Sequence, residues 1–124
     1  MLKSSLLLII LSVCMSAVAQ VLLKSGMSAS GVQRALAEGL LPKTALTILT
    51  NGGVLLGLLV YFASAIVWLG VLSRVDVSVA YPFVALGFVL TAVLGQQLLG
   101  ETLTIQRIAG ILLVCAGVTV LARG

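Results

Sequence analysis

The chain reads as an all-α integral membrane protein with four transmembrane helices, and three observations lead there. Its seven Lys/Arg and three Asp/Glu leave long charge-free runs, from Lys3 to Lys24, Lys43 to Arg74, Asp76 to Glu101 and Arg107 to Arg123. A helix needs about 20 apolar residues to cross roughly 30 Å of hydrocarbon. The first three runs meet that length, and the fourth meets it if the helix starts near Thr104 and Arg107 snorkels to the interface. Second, 61% of the residues are hydrophobic and 8% charged, more apolar surface than a soluble domain of 124 residues can hide. Third, 5% aromatics leave nothing to build the girdles of a lipid-facing β-barrel.

The first helix is expected from about Ser4 to Gly26. Lys3, the run Leu6-Leu7-Leu8-Ile9-Ile10-Leu11 and Ala17-Val18-Ala19 imitate a secretory signal with its A-x-A site. The apolar run continues past that site through Val21-Leu22-Leu23, so the segment is read as a membrane span. In the connection that follows, Val32, Leu36 and Leu40 recur every four residues, and Ser30 and Gln33 have capping-box spacing. Two readings stay open there. One is a short amphipathic helix over about residues 31–41, lying at the interface and ended by Gly39 and Pro42; the other is an ordered loop.

The second span is expected over about residues 48–73. Gly53 and Gly57 in it form a small-xxx-small pair that allows close helix approach, and Trp68 stands near its end, where an indole favours the interface. Arg74-Val75-Asp76 is a minimal turn. The third span follows over about 78–99 and the fourth over about 103–122, and such short links make consecutive helices antiparallel neighbours. The whole chain, 1–124, is one four-helix transmembrane domain. Cys14 and Cys115 fall inside apolar runs and are expected as small buried hydrophobes.

Alternating the spans puts Lys3, Arg74 and Arg123 on one side of the membrane and Lys24, Arg34, Lys43 and Arg107 on the other. Such balance gives almost no positive-inside bias. It is compatible with insertion in both orientations and an antiparallel homodimer, or with a partner subunit that fixes one orientation. The +4 net charge is scattered singly around helix ends, which excludes a nucleic-acid-binding stripe. Without histidine, a metal-ligand cluster or paired acids in the spans, nothing points to an enzyme or a cofactor.

One polar feature marks the first span. Ser12, Ser16, Gln20 and Lys24 recur at four-residue intervals and lie in one slanting line. Serines can satisfy themselves on the carbonyl four residues back, whereas a carboxamide in hydrocarbon needs partners. The stripe is either glue between helices or the wall of a polar groove that ends in a cation at headgroup level. In the third span Pro82 of Ser78-Val79-Ala80-Tyr81-Pro82 loosens the first turn, and Gly87, Thr91 and Gly95 share a face. In the fourth, Gly110 and Gly117 lie seven residues apart beside Ala109 and Ala116, a flat seam for another helix.

Taken together, Trp68 to Val118 resembles the small multidrug resistance branch of the drug/metabolite transporter (EamA-like) superfamily. The likeness is closer to the flippase subunits for undecaprenyl-phosphate-linked aminoarabinose. The order Trp68, Ala80-Tyr81-Pro82 and Glu101 matches that group, as does the spacing of Ser16, Gln20 and Lys24; the connection 27–43 is longer. Drug exporters of this fold resemble one another in a membrane-embedded glutamate on the first helix, and the corresponding residue here is Ser16. Without that acid a desolvated cation lacks its counter-charge, which speaks against proton-coupled drug export.

The resemblance implies a dimeric, multi-pass carrier in the bacterial inner membrane that moves a polyprenyl-phosphate-linked sugar. Its partner is a second copy or a related four-helix subunit. Lys24 is expected to meet the phosphate, and Ser12, Ser16, Gln20, Tyr81 and Pro82 the sugar or its path. Arg74 and Arg107 either anchor at the interface or meet phosphate, and Glu101 either takes an amino-sugar ammonium or pairs with Arg107. Gly110 and Gly117 are the expected dimer seam. Two rivals remain: an exporter of small polar or cationic metabolites, and a non-transporting membrane subunit of an envelope glycan assembly complex.

Overall fold

The computed structural model describes residues 3–39 and 41–123, without the side chains of Tyr81 and Ala122; Leu40 of the four-residue repeat lies outside the described residues. The described residues form seven α-helices. They are α1 (Lys3–Met27), α2 (Ser30–Ala37), α3 (Pro42–Thr50), α4 (Gly52–Leu72), α5 (Val77–Ala80), α6 (Val84–Leu99) and α7 (Ile105–Arg123), with a 3-10 turn at Tyr81–Phe83. By length and composition three segments can cross a membrane: α1, α4 and the stretch Val77–Leu99. The apolar part of α7, Ile105–Leu121, is shorter than these. Residues 101–104 are not helical, and Thr104 caps the start of α7 by accepting the Arg107 N–H at 3.2 Å. The helix therefore begins two residues later than the sequence suggests.

The connection after α1 also differs from expectation. Ser30 is the first residue of α2 rather than its cap, and Gln33 sends its Nε2 to the Met27 carbonyl at 2.7 Å, so no capping box forms. Gly39 ends this helix with a φ of +111°, a conformation that costs glycine little. Pro42 terminates nothing. It opens α3 in the first helical turn, where its missing N–H would have no partner anyway. Thr44, buried, ties α2 to α3 by donating to the Gly39 carbonyl at 2.6 Å.

The second span starts at Gly52 and not near residue 48, because Asn51 separates two helices. Its backbone is extended, and its Oδ1 accepts the Val54 N–H at 3.1 Å, an N-cap worth about 1 kcal/mol.

α1 is the central helix and packs against both α4 and α6. Its crossing with α4 is close because glycines meet there. A Cβ on Gly53 would stand 2.9 Å from the Gly26 Cα, and one on Gly57 would stand 2.9 Å from Leu23 Cγ. On the other flank a Cβ on Gly87 of α6 would come 3.2 Å from Val13 Cγ1. Without hydrophobic drive between helices in lipid, such close van der Waals fit is a main source of cohesion. At the opposite end Ile9, Val71 and Ala80 are buried together, with Val13, Trp68 and Phe83 packed around them.

Pro82 sits in the 3-10 turn, so the third span is divided into α5 and α6 where proline removes a helical hydrogen bond. α6 ends at Gly100, φ +69°, with the Glu101 N–H folding back onto the Gly95 carbonyl at 3.2 Å. α7 stands apart. It touches α6 and the 3-10 turn, and Val118 alone of its described residues is buried. Cys14, expected inside, is exposed on the outer face of α1, and Cys115 is half-buried.

Candidate functional site

Between α1, α4 and α6 lies a cleft of about 650 Å³. α1 contributes Ser12, Val13, Ser16, Ala17 and Gln20; α4 contributes Tyr61, Ser64, Ala65 and Trp68. Val84, Gly87, Phe88, Thr91 and Ala92 of α6 form the third wall, and Glu101 lies beyond its end. Four-residue spacing puts Ser12, Ser16 and Gln20 on one helical line, and that line faces the cleft. Gly87 lets α6 approach α1 closely enough to close this side.

The polar groups of the stripe are not equivalent. Ser12 is 3% exposed and its hydroxyl donates to the Ser64 carbonyl at 3.1 Å, while the Ser64 hydroxyl donates to the Ser12 carbonyl at 3.0 Å. Ser12 thus lines the wall but its one proton is already committed to α4. Ser16 is half-buried and Gln20 exposed, and both line the cleft. Lys24 continues the line, but it is exposed at the last turn of α1 and lines neither this cleft nor its neighbour.

That neighbour is a second cleft of about 400 Å³ between α6 and α7. Its lining is Phe88, Val89, Ala92, Glu101, Thr102, Leu103, Arg107, Gly110, Ile111 and Val114. Phe88, Ala92 and Glu101 belong to both clefts, so the two share a wall. Arg107 gives its Nη1 to the Thr102 carbonyl at 3.0 Å. Arg74 is exposed in the turn after α4, and Pro82 is half-buried in the 3-10 turn before α6; neither lines a cleft. The Tyr81 side chain lies outside the described residues. Gly110 lines the second cleft, and a Cβ on Gly110 or Gly117 would meet only open space.

Tyr61 and Ser64 were not evident from sequence. A phenol inside an otherwise apolar span is a signal that such a residue faces a polar surface. Ser64 carries none, since one hydroxyl can satisfy itself on its own helix. Trp68, expected as an interface anchor, packs on the Ile9 cluster and lines the cleft. Among the described residues no group of three His, Cys, Asp or Glu could hold a metal ion. The cleft offers hydroxyls, a carboxamide, an indole and one carboxylate on an apolar wall, which suits reversible holding of a polar group.

No family model matches the chain, and no solved structure matches it. Relatives do. A protein of Erwinia tasmaniensis named "Probable 4-amino-4-deoxy-L-arabinose-phosphoundecaprenol flippase subunit ArnE" is 34% identical over 119 residues, covering 94% of this chain and 95% of the relative. A protein of the same name from Pseudomonas paraeruginosa is 43% identical over 56 residues, 45% of this chain and 49% of its own length. One from Sodalis glossinidius is 40% identical over 63 residues, 51% of this chain and 57% of its own.

Proposed function

Because this chain belongs to the family of 4-amino-4-deoxy-L-arabinose-phosphoundecaprenol flippase subunits, we propose that it moves such a lipid-linked sugar across the bacterial inner membrane. It is a multi-pass membrane transport subunit and not an enzyme. The end-to-end similarity to the Erwinia protein carries this reading. The cleft supports it: a polyprenyl tail stays in lipid while a sugar head must pass through a lined polar space, and Ser16 and Gln20 supply that lining inside an apolar wall. Lys24, exposed at the end of the same line, is the cation that meets phosphate at headgroup level.

In this reading α7 is the fourth span. Its 19 residues rise about 28 Å, close to the hydrocarbon thickness. Its exposed face, with Gly110 and Gly117 open, is the surface for a second copy or a related four-helix subunit. Such pairing is the manner of transporters that set two repeats around a midplane site.

The test uses vesicles that contain the protein and undecaprenyl-phosphate-linked aminoarabinose, with a membrane-impermeant amine reagent outside. Active protein exposes the inner-leaflet amine, so labelling should pass the one-leaflet plateau. A plateau unchanged by the protein, with uptake of a hydrophobic cation in the same vesicles, would replace this reading by cation export.

A further inference from the structure

We infer that Glu101 is the residue that selects the amino group of the sugar, an inference that rests on the flippase reading above. Of the three acidic residues in the chain, Glu101 alone lines the cleft; Glu38 and Asp76 lie in connecting segments. Glu101 is exposed, and two features of the chain bring it to this place. The carboxylate lies over Gly95, where a Cβ would collide with Oε1, so the missing side chain at 95 makes the room. The backbone enforces the same arrangement, since Gly100 turns the chain in the left-handed conformation and the Glu101 N–H returns to the Gly95 carbonyl.

Electrostatics then shows what the site wants. The end of α6 carries the partial negative charge of unpaired carbonyls, which favours a cation and disfavours an anion. A carboxylate placed there adds like charge to like charge. Arg107, the nearest cation in sequence, directs Nη1 to the Thr102 carbonyl. A ligand ammonium at the cleft side of Glu101 would neutralise both the carboxylate and the helix end.

The larger cleft offers hydroxyl and amide partners, and Glu101 stands on the wall it shares with the second cleft. A sugar head held in the larger cleft brings its amino group within reach of a carboxylate on that shared wall.

The experiment is a binding titration on the full chain in bilayer discs, read by the fluorescence of Trp68, the one tryptophan, which lines the cleft. The probes are undecaprenyl-phosphate-linked aminoarabinose and its N-acetyl form. Wild type should bind the free amine about tenfold more tightly, the scale of one charge-assisted hydrogen bond. Glu101→Gln should bind the free amine as weakly as wild type binds the N-acetyl form, and should leave N-acetyl binding unchanged. Gly95→Ala, a helix-favouring change, should push the carboxylate aside and reduce the discrimination without touching a charge. Equal binding of both lipids by wild type, or full discrimination by Glu101→Gln, overturns the selector while the flippase reading stands. Wild-type binding of neither lipid above plain phospholipid overturns both.

Discussion

Ser12 and Ser64, 52 residues apart, hold each other's backbone: each hydroxyl donates to the other's carbonyl, at 3.1 and 3.0 Å. The pair bolts α1 to α4 at mid-span, in the lining of the larger cleft. Interhelical hydrogen bonds in membranes are worth about 0.6 kcal/mol on average and about 1.7 at most. Ser12→Ala and Ser64→Ala should each lower stability by about 1 kcal/mol. Because the two bonds share partners, the double variant should lose less than the two singles together. Unfolding in detergent micelles measures this, and strictly additive losses would mean the two hydroxyls act independently.

Gly53 should tolerate no side chain, although alanine is the better helix former. The Cβ of Gly53→Ala would meet the Gly26 Cα, a backbone atom that cannot swing away, so the cost is expected at about 1–3 kcal/mol. Gly52→Ala, with nothing within 4 Å of its Cβ, is the matched control and should be neutral or slightly stabilising. Comparable losses at both positions would show that propensity rather than the α1–α4 crossing governs this end of the bundle.

Gly117 should matter only between subunits. Its open surroundings mean that Gly117→Leu leaves the single chain intact, while a bulky residue on a close helix seam separates the backbones. In a Cys14→Ser, Cys115→Ser background, Gly117→Cys should cross-link in membranes and Phe62→Cys on α4 should not. The reverse pattern would move the seam from α7 to α4.

Lys24 should act through charge. It is exposed, so Lys24→Met should leave expression and stability near wild type while transport falls at least several-fold; Lys24→Arg should retain part of it. Normal transport by the methionine variant would remove the lysine from phosphate recognition.

Ser16→Glu should change the substrate class. The side chain faces the cleft, where a second carboxylate repels a phosphate and attracts cations. Transport of the anionic lipid should drop and weak binding of a hydrophobic cation should emerge. A wild-type protein that binds that cation as well as the variant does would show that the serine sets no such preference.

How much of this was legible in the sequence depends on the range of the interaction. The first charge-free run fixed α1 nearly residue by residue and the second fixed the end of α4 but not its start, because span length is a property of a single segment while the Lys43–Arg74 run also holds α3. The line Ser12, Ser16, Gln20 was legible for the same reason, and so was the close approach at Gly53 and Gly57, though not that the partner is Gly26 and Leu23. The Asn51 side-chain cap at the start of α4 depends on one local geometry that composition does not reveal. Ser64 was illegible since its role exists only across 52 residues. Lys24 extended the stripe by periodicity, yet helix α1 outruns the cleft there and leaves the lysine beside it.

The loose attachment of α7 has a consequence in time. A chain is made from its N-terminus, so its helices become available to pack in that order. Every residue that lines the larger cleft, from Ser12 to Glu101, precedes Ile105, and the glycine crossings and serine bolt that shape the cleft do as well. The residues of the chamber are therefore all made before those of the last helix. α7 arrives with little left to bury against its own chain, and its apolar surface is free to meet whatever neighbour the bilayer already holds.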